Sequence, residues 1–326
     1  MIEKYYSGVI EQIYNRIGKE TRNIVMANYS NDFSIENLEV IRRYQSNEDN
    51  VFFAYSEFSY NTLIGAYEPF LDIICNMHRR FIGGSFDDFQ KECGVYYLHR
   101  QVLNSYYETG ECFREEMVLL NEVAYEQRRM TMAIADMLKS LSEVKPLMIV
   151  INRFQMASKS SIETIKYLID NPCANIGIVL GVNALVKGAD STVEVWDSIV
   201  ESLEDRSAVY YIGSAGQLKN TVKTTNDDEM YITMNFEQSI QEASNIMEFL
   251  DFEQAKRGCR IIEHKLKFED AWIDEKSLRR FYMVYARTSV LLGEMSKAIE
   301  LTNEFKALIP ENDSEHYLSL YYFMKG

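Results

Sequence analysis

The sequence predicts an α/β domain with a largely parallel sheet, followed by an all-helical domain. Two apolar runs, Leu147–Ile151 and Ala174–Val182, are typical of parallel strands that are covered on both faces. Strand and helix patterns alternate up to about residue 213, which favours three layers with crossover connections. We therefore predict the α/β domain over 1–213, a linker over 214–235 and helical repeats over 236–326.

Before residue 85, apolar side chains at helical or strand spacing predict five elements. In chain order, these elements are a helix over 2–18, a strand over 22–27, a helix that ends near 44, a strand over 51–55 and a helix over 69–82. Ser34 is the predicted N-cap of the second helix. Pro69 suits the first turn of the third helix, and Gly83 with Gly84 ends it.

The segment 86–143 is predicted to be a helical insertion in the α/β domain, and its long last helix covers 113–142. After the insertion, the alternation of strands and helices resumes. The predicted elements are a strand over 147–151, a helix that ends at 170, a strand over 174–182, a helix over 192–203 and a strand over 208–213. The polar, glycine-containing stretch that follows indicates the linker.

The C-terminal part has helical periodicity throughout, with five predicted helices at 237–250, 253–266, 275–292, 295–308 and 314–324. Five residues there follow the order and spacing of a tetratricopeptide unit, which the region resembles: Tyr282, Ala286, Gly293, Ala298 and Pro310. Small alanines allow two antiparallel helices to cross closely. Ala243 and Ala255 look like a weaker copy. A generic bundle of helical hairpins is the alternative.

The tetratricopeptide resemblance implies that the first helix of the unit lines a groove for a partner protein. Four residues would face that groove, because they share one helical face: Arg280, Met283, Arg287 and Val290. The two arginines could clamp a carboxylate, and the alternative is a solvated charged face. The apolar final helix over 314–324 predicts that the stack continues in a longer chain, docks back or forms a homo-oligomer.

The stretch PLMIVINRFQMASKSSIETIKYLI, followed by IGIVLGVNA, carries a second resemblance. It is similar to the Walker B strand, the helix and the next strand of the signal-transduction ATPases with numerous domains (STAND). These are AAA+-like P-loop regulators, some of which are fused to helical repeats in bacterial transcriptional activators. The segment 65–70 resembles the one after the second strand in that family. The resemblance implies a three-layer P-loop-NTPase-like fold over about 20–213.

The residues that would bind nucleotide depart from the family's pattern. A working P-loop needs glycines and a lysine, but the stretch 28–37 has neither, and Asp32 would repel phosphate. Asn152 and Arg153 replace the acids that hold Mg²⁺, and Asn183 precedes Ala184 where a sensor arginine is expected. We interpret six positions as a vestigial nucleotide site without hydrolysis: Asn28, Asp32, Ser34, Asn152, Arg153 and Asn183.

Composition argues against several classes of function. The net charge of −15 and the isoelectric point near 4.9 disfavour nucleic acid or an anionic membrane surface as the main partner. The 5 cysteines and 4 histidines are dispersed, without metal-ligand spacing. No apolar run reaches membrane-spanning length, and the N-terminus does not resemble a signal peptide. We expect a cytoplasmic protein with no metal or other cofactor.

These observations together predict a non-catalytic pseudo-ATPase that acts as a scaffold or adaptor. It would bind another protein through its repeats, its α/β surface or both. The alternative is a nucleotide-binding switch without hydrolysis, in which Arg153 contacts a phosphate of ATP or ADP. An enzyme of another type has no support, because the sequence lacks the G-x-S-x-G, HExxH and GxGxxG motifs. A transcription factor would need a DNA-binding part outside this chain.

Overall fold

A computed structural model describes residues 2–29, 38–46, 50–58, 63–114, 122–183, 186–187, 193–205, 209–212, 223–224, 235–268 and 273–309. The chain divides into two compact units. Unit 1 contains Met1–Tyr60, Tyr67–Arg100 and Arg128–Thr225, and unit 2 contains Asn61–Ala66, Gln101–Gln127 and Asn226–Gly326. The predicted insertion over 86–143 therefore contributes residues to both units.

Strands and helices alternate in unit 1, which confirms the predicted α/β class. The first elements are α1 (Ile2–Arg16), β1 (Ile24–Tyr29), α2 (Glu39–Ser46), β2 (Phe52–Glu57), α3 (Phe70–Met77) with a π-helical continuation (His78–Ile82), and α4 (Phe86–Glu92). The next two helices belong partly to unit 2 and are α5 (Tyr97–Thr109) and α6 (Val123–Val144). The remaining elements are β3 (Leu147–Asn152), a 3₁₀ turn (Phe154–Met156), α7 (Lys159–Asp170), β4 (Ile176–Asn183), β5 (Val186–Lys187), α8 (Val193–Asp205), β6 (Val209–Ile212) and β7 (Lys223–Thr224).

Five strands form one parallel sheet in the order β2-β3-β4-β1-β6. β3 and β4 are buried at every residue, as their apolar runs predicted, so both faces of these strands are covered. The order differs from the dinucleotide-binding order 3-2-1-4-5-6 and from the flavodoxin-like order 2-1-3-4-5. β5 and β7 form a separate parallel pair that the sequence did not predict.

Buried serines at the start of α7 hold the chain that leads into α3. Ser158 is the N-cap of α7, and its hydroxyl accepts from the N–H of Ser161 at 3.4 Å. The hydroxyl of Ser160 accepts from the N–H of Tyr67 at 3.0 Å, and the hydroxyl of Ser161 donates to the carbonyl of Glu68 at 2.8 Å. Tyr67 has a φ of 58°, so these bonds stabilise a backbone conformation that non-glycine residues rarely adopt.

The predicted long helix over 113–142 begins later than expected, at Val123. Residues 111–114 are not helical, and residues 115–121 lie outside the described part of the chain. The N–H of Cys112 donates to Oδ1 of Asn245, and Nδ2 of Asn245 donates to the carbonyl of Gly110, both at 2.9 Å. A distant side chain therefore holds the backbone just before the predicted start of this helix.

The described residues of unit 2 include two helical hairpins. Their helices are α9 (Phe236–Glu248), α10 (Phe252–Phe268), α11 (Glu275–Leu291) and α12 (Met295–Ala307). Four of the five predicted C-terminal helices are therefore present, while the fifth, with Pro310, lies outside the described residues. Of the predicted linker, the structure describes residues 223–224, which form β7, and Asn235, which caps α9.

The turns of the two hairpins are equivalent. In the first, Leu250 has a φ of 68° and the N–H of Asp251 donates to the carbonyl of Ile246 at 3.2 Å. In the second, Gly293 has a φ of 77° and the N–H of Glu294 donates to the carbonyl of Ser289 at 2.8 Å. The alanines named above are fully buried at matching positions around each turn. The described helices α9–α12 therefore form an internal repeat of one helical hairpin.

Charged side chains connect the two hairpins. Nζ of Lys297 on α12 lies 3.0 Å from Oε1 of Glu263 on α10, and Nζ of Lys267 lies 3.1 Å from the same oxygen. Burial acts to raise the pKa of Glu263, but the hydrogen bonds from the two lysines outweigh it and hold this pKa below its ordinary value. The carboxylate therefore remains charged, and the pair contributes to the packing of α12 on α10.

Segments that precede the repeats in the chain pack on the first hairpin. Nε2 of Gln254 donates to the carbonyl of Ile64 at 3.0 Å. A Cβ on Gly258 would lie 2.8 Å from the side chain of Leu63, so this glycine permits a close approach. Both Leu63 and Ile64 are buried. The core of unit 2 therefore includes residues far from the hairpins in sequence.

Two glycine-to-alanine exchanges should have opposite effects on stability, because Gly293 lies in a turn at positive φ and Gly8 lies inside a helix. Gly293→Ala should lower the free energy of unfolding by about 1 kcal/mol, because alanine is strained at positive φ. Its new Cβ would meet no atom within 4 Å, so backbone strain is the main term. Gly8→Ala, at an equally open position inside α1, should raise it by about 0.5–1 kcal/mol. Urea denaturation measures both, and a neutral Gly293→Ala would contradict the turn assignment.

Candidate functional site

The carboxyl ends of β2, β3 and β4 bring polar side chains to one edge of the sheet. We call Glu57, Asn152, Arg153, Gln155 and Asn183 the edge cluster. Glu57 ends β2, Asn152 ends β3, and Asn183 ends β4. Because the strands are parallel, these ends meet on the side of the sheet where α/β proteins bind ligands.

Arg153 is held by neighbours within the protein. Its Nη1 lies 3.3 Å from Oε1 of Glu57 and donates to the carbonyl of Phe58 at 3.4 Å. The side chains of Arg153 and Glu57 are only 19% and 17% exposed. Glu57 also accepts a hydrogen bond from the hydroxyl of Tyr55. The acid and the base of the edge cluster therefore neutralise each other in a partly desolvated position.

The backbone of Arg153 is also unusual, with a φ of 55°. This left-handed residue follows the last residue of β3 and turns the chain into the 3₁₀ segment, which places Gln155 beside the end of β4. Oε1 of Gln155 accepts from the N–H of Asn183 at 3.2 Å. Asn152, Gln155 and Asn183 are all buried. The ends of β3 and β4 therefore carry uncharged amides in closed surroundings.

Gly181 of β4 permits the close packing behind the edge cluster. A Cβ at this position would overlap the hydroxyl oxygen of Tyr6 and would lie 2.8 Å from Oδ1 of Asn152. Tyr6 comes from α1 and is completely buried. The space next to Asn152 is therefore filled by the tyrosine ring and its hydroxyl.

The structure places four of the six predicted nucleotide-site residues. Asn152, Arg153 and Asn183 lie at the carboxyl end of the sheet, and Asn28 is half-buried on β1 beside Val182. Asp32 and Ser34 lie outside the described residues. Among the side chains that are described, no group of three or more His, Cys, Asp or Glu could hold a metal ion. The edge cluster therefore offers amides and one ion pair, which is poor chemistry for a hard cation.

The predicted repeat groove is the second candidate surface. Its four residues lie on α11, share one helical face and are all half-buried: Arg280, Met283, Arg287 and Val290. Arg287 already has a carboxylate partner, because its Nη1 lies 3.3 Å from Oε1 of Glu248 on α9. Arg280 is therefore the better candidate to contact a partner's carboxylate.

Glu248 lies between two arginines. In addition to Arg287, Arg114 approaches it, with Nε 3.9 Å from Oε2 and Nη2 donating to the Glu248 carbonyl at 3.1 Å. Burial raises the pKa of Glu248 above its ordinary value, although both guanidinium groups act in the opposite direction. The side chains of Arg114 and Glu248 are only 4% and 11% exposed. This cluster therefore belongs mainly to the packing of unit 2.

Sequence reasoning missed several residues of these surfaces. Glu57 follows a predicted strand, but its pairing with Arg153 depends on strand order, which local patterns do not reveal. Gly181 inside a buried strand was a usable signal, since such glycines often mark a close approach of another group. No local pattern marked Glu248, because its partners, Arg287 and Arg114, are distant from it in the sequence.

Comparisons with known proteins add no family to these observations. No protein-family model matches the chain, and no curated protein sequence is significantly similar to it. The edge cluster and the repeated hairpins are therefore the features of the molecule from which a function can be inferred.

The packing around Gly181 predicts a coupled pair of substitutions. Gly181→Ala should lower the free energy of unfolding by about 1–3 kcal/mol, because the new methyl group overlaps Tyr6 and Asn152. In a Tyr6→Phe background the nearest atom is gone, so the loss should shrink by about 1 kcal/mol. Gly177→Ala is the matched control, since its Cβ would meet Ile13 and Ile17 instead. Equal losses for Gly181→Ala in both backgrounds would show that the tyrosine hydroxyl does not limit the site.

Proposed function

We propose that this chain is a non-catalytic relative of the signal-transduction ATPases that serves as a scaffold or adaptor and binds another protein. The observation that carries the proposal is the ion pair of Arg153 with Glu57. The resemblance implies acids at the end of the Walker B strand, where they hold Mg²⁺. Here the corresponding positions are Asn152 and Arg153, and the nearby carboxylate of Glu57 is bound by the arginine.

The fold is compatible with this proposal. The stretch that resembles the Walker B strand is β3, an interior strand of a parallel sheet, and the next strand in the chain, β4, lies beside it. The segment that resembles the one after the second strand is 65–70, and the serines of α7 form hydrogen bonds to Tyr67 and Glu68 within it. In this proposal, the polar ends of β3 and β4 correspond to the nucleotide site of that family.

Protein binding is supported by the repeated hairpins. Tandem helical hairpins that stack side by side commonly present one face of their first helices to a partner. The face of α11 that carries Arg280 and Met283 is half-exposed. Within the described residues, no helix combines the length and apolar character needed to cross a membrane.

The alternative, a nucleotide switch without hydrolysis, receives less support. It would use Arg153 to contact a phosphate, and the guanidinium would then have to leave Glu57 and the carbonyl of Phe58. A phosphate at the edge would also approach the carboxylate of Glu57. Both changes cost free energy before any nucleotide contact forms.

The proposal predicts that the purified chain releases no phosphate from ATP and Mg²⁺ above background. The comparison is with Asn152→Ala and with Arg153→Gly, which removes the side chain but tolerates the positive φ. All three proteins should give the same residual rate. A rate that both substitutions reduce would overturn the non-catalytic proposal. Calorimetry with ATP and ADP tests the switch, which would be supported by a binding heat that Arg153→Gly removes.

The repeat face predicts a charge-sensitive interaction. Arg280→Glu should lower the recovery of a partner from an extract of the source cell by roughly tenfold, as expected for the loss of a charge-assisted hydrogen bond. Arg260→Glu, an exposed position on α10, is the matched control. Arg287 is a poor site for this test, since a glutamate there would face Glu248. Unchanged recovery with Arg280→Glu would exclude this face and direct attention to unit 1.

A further inference from the structure

A non-helical segment of unit 2 lies on the first helix of the hairpins. This segment, which we call the strap, consists of residues 110–114, and it follows the end of α5. It contacts α9 at Asn245 and at Glu248. These two residues share one face of the helix, because positions three apart are neighbours. The strap therefore follows the surface of α9 over about one turn.

Asn245 binds the main chain of the strap with both ends of its amide. Its Nδ2 donates to the carbonyl of Gly110, and its Oδ1 accepts from the N–H of Cys112, both at 2.9 Å. Gln241, one turn earlier on α9, donates from Nε2 to the same Oδ1 at 2.8 Å and so fixes the orientation of the amide. Because the bonds to the strap use main-chain groups, Asn245 can hold segments with different side chains.

The end of α9 binds the side chain of Arg114, the last residue of the strap. Nη2 of Arg114 donates to the carbonyl of Glu248 at 3.1 Å, and its Nε lies 3.9 Å from Oε2 of the same residue. Glu248 is the last residue of α9, where a helix has unsatisfied carbonyls and a partial negative charge. A guanidinium matches a carbonyl and a carboxylate at once. The end of α9 is therefore a site for an arginine.

The strap ends beside the face of α11 that we propose for partner binding. Arg287, which belongs to that face, has its Nη1 3.3 Å from Oε1 of Glu248. The other carboxylate oxygen, Oε2, is the one that Arg114 approaches. Glu248 therefore lies where the strap and the face of α11 meet, and a segment bound along that face would reach the end of the strap.

The strap is attached to α9 at separate points and not along its whole length. Each hydrogen bond described between the two uses a side chain, either that of Asn245 or that of Arg114. Between these points Phe113 is 62% exposed. At the other end of the strap, the N–H of Glu111 donates to Oγ1 of Thr109 on α5 at 3.1 Å. The end with Arg114 can therefore leave α9 while the hairpins stay folded.

We propose that the strap is an internal, autoinhibitory occupant of the partner-binding face, and that a non-helical partner segment containing an arginine displaces it. The partner's arginine replaces Arg114 on Glu248, and Asn245 binds the partner's main chain. Since one arginine replaces another, the charge beside Arg287 is unchanged. The inference rests on the proposed adaptor function and assigns a chemistry to the partner.

Covalent attachment gives the strap an advantage over any separate segment. A short connection produces an effective concentration of about millimolar order. A partner segment that contacts only Asn245 and Glu248 therefore competes poorly. Further contacts along α11, for example at Arg280, would raise its affinity enough to displace the strap. The strap thus selects against short segments that offer an arginine alone.

Amide hydrogen exchange of the unmodified full chain tests whether the strap can leave. The N–H of Cys112 is bonded to Asn245, so it exchanges when the strap opens. It should exchange at least about 100-fold faster than the N–H of Ile246, which is buried inside α9 and opens only with the hairpin. Equal protection of the two amides would show that the strap is a permanent part of the core, and the proposal would be overturned.

A fluorescein-labelled peptide tests the site from which the strap leaves. It has the sequence of residues 107–114, YETGECFR, with serine in place of the cysteine. The full chain with Arg114→Ala should bind this peptide at least roughly tenfold more tightly than the wild type, because its own strap has lost its anchor. A peptide with alanine as its last residue should bind that variant at least roughly tenfold more weakly. Fluorescence anisotropy measures both.

Two glutamates of α9 test the location. Added to Arg114→Ala, Glu248→Gln should weaken the peptide at least about fivefold, whereas Glu237→Gln, at an exposed position in the first turn of the same helix, should not. The proposal is overturned if wild type and Arg114→Ala bind the peptide equally, if its arginine makes no difference, or if the two glutamate exchanges act alike.

The adaptor function fails or stands on a different result, the recovery of a partner with Arg280→Glu. Reduced recovery together with a permanent strap would overturn this inference and leave the adaptor function in place. Strap opening and peptide binding together with unchanged recovery would support the site at Glu248 and count against the repeat face of α11.

Discussion

The complete burial of β3 and β4 is the constraint on which the chemistry of unit 1 depends. With both faces covered, every polar group at the ends of these strands must find a partner inside the protein. Asn183 and Gln155 bind each other, and Arg153 binds Glu57. Side chains of the protein therefore occupy the carboxyl end of the sheet, and a ligand there would compete with hydrogen bonds and an ion pair that already exist.

The positive charge of Arg153 differs from that of a metal ion bound at the end of a strand, because it is covalently part of the chain. The guanidinium of Arg153 cannot dissociate with a product, nor can it lower the pKa of a bound water as a metal does. Its planar donors match a carboxylate and a carbonyl, and Glu57 and Phe58 supply both. An internal ion pair of this kind stabilises one structure, whereas a nucleotide switch alternates between structures. This property fits the proposed binding scaffold.

Local sequence patterns predicted the elements well and their partners poorly. The apolar runs of β3 and β4 and the small residues Ala286 and Gly293 report backbone geometry and burial, which are properties of short segments. The pairing of Glu57 with Arg153 requires two strands, far apart in the chain, to be neighbours, and no local pattern encodes that order. Asn245 is a second distant partner, since it binds the backbone at Gly110 and Cys112, and local patterns do not encode this contact either.

The contacts of Leu63 and Ile64 with α10 have a consequence for synthesis on the ribosome. These two apolar residues emerge long before Gln254 and Gly258, the residues that they meet in the folded unit. Chains generally fold from the N-terminus as they are made. Until the hairpins are complete, the apolar side chains of Leu63 and Ile64 lack the partners that bury them in the folded unit. The native cover of Leu63 and Ile64 is therefore available only after α10 has been synthesised.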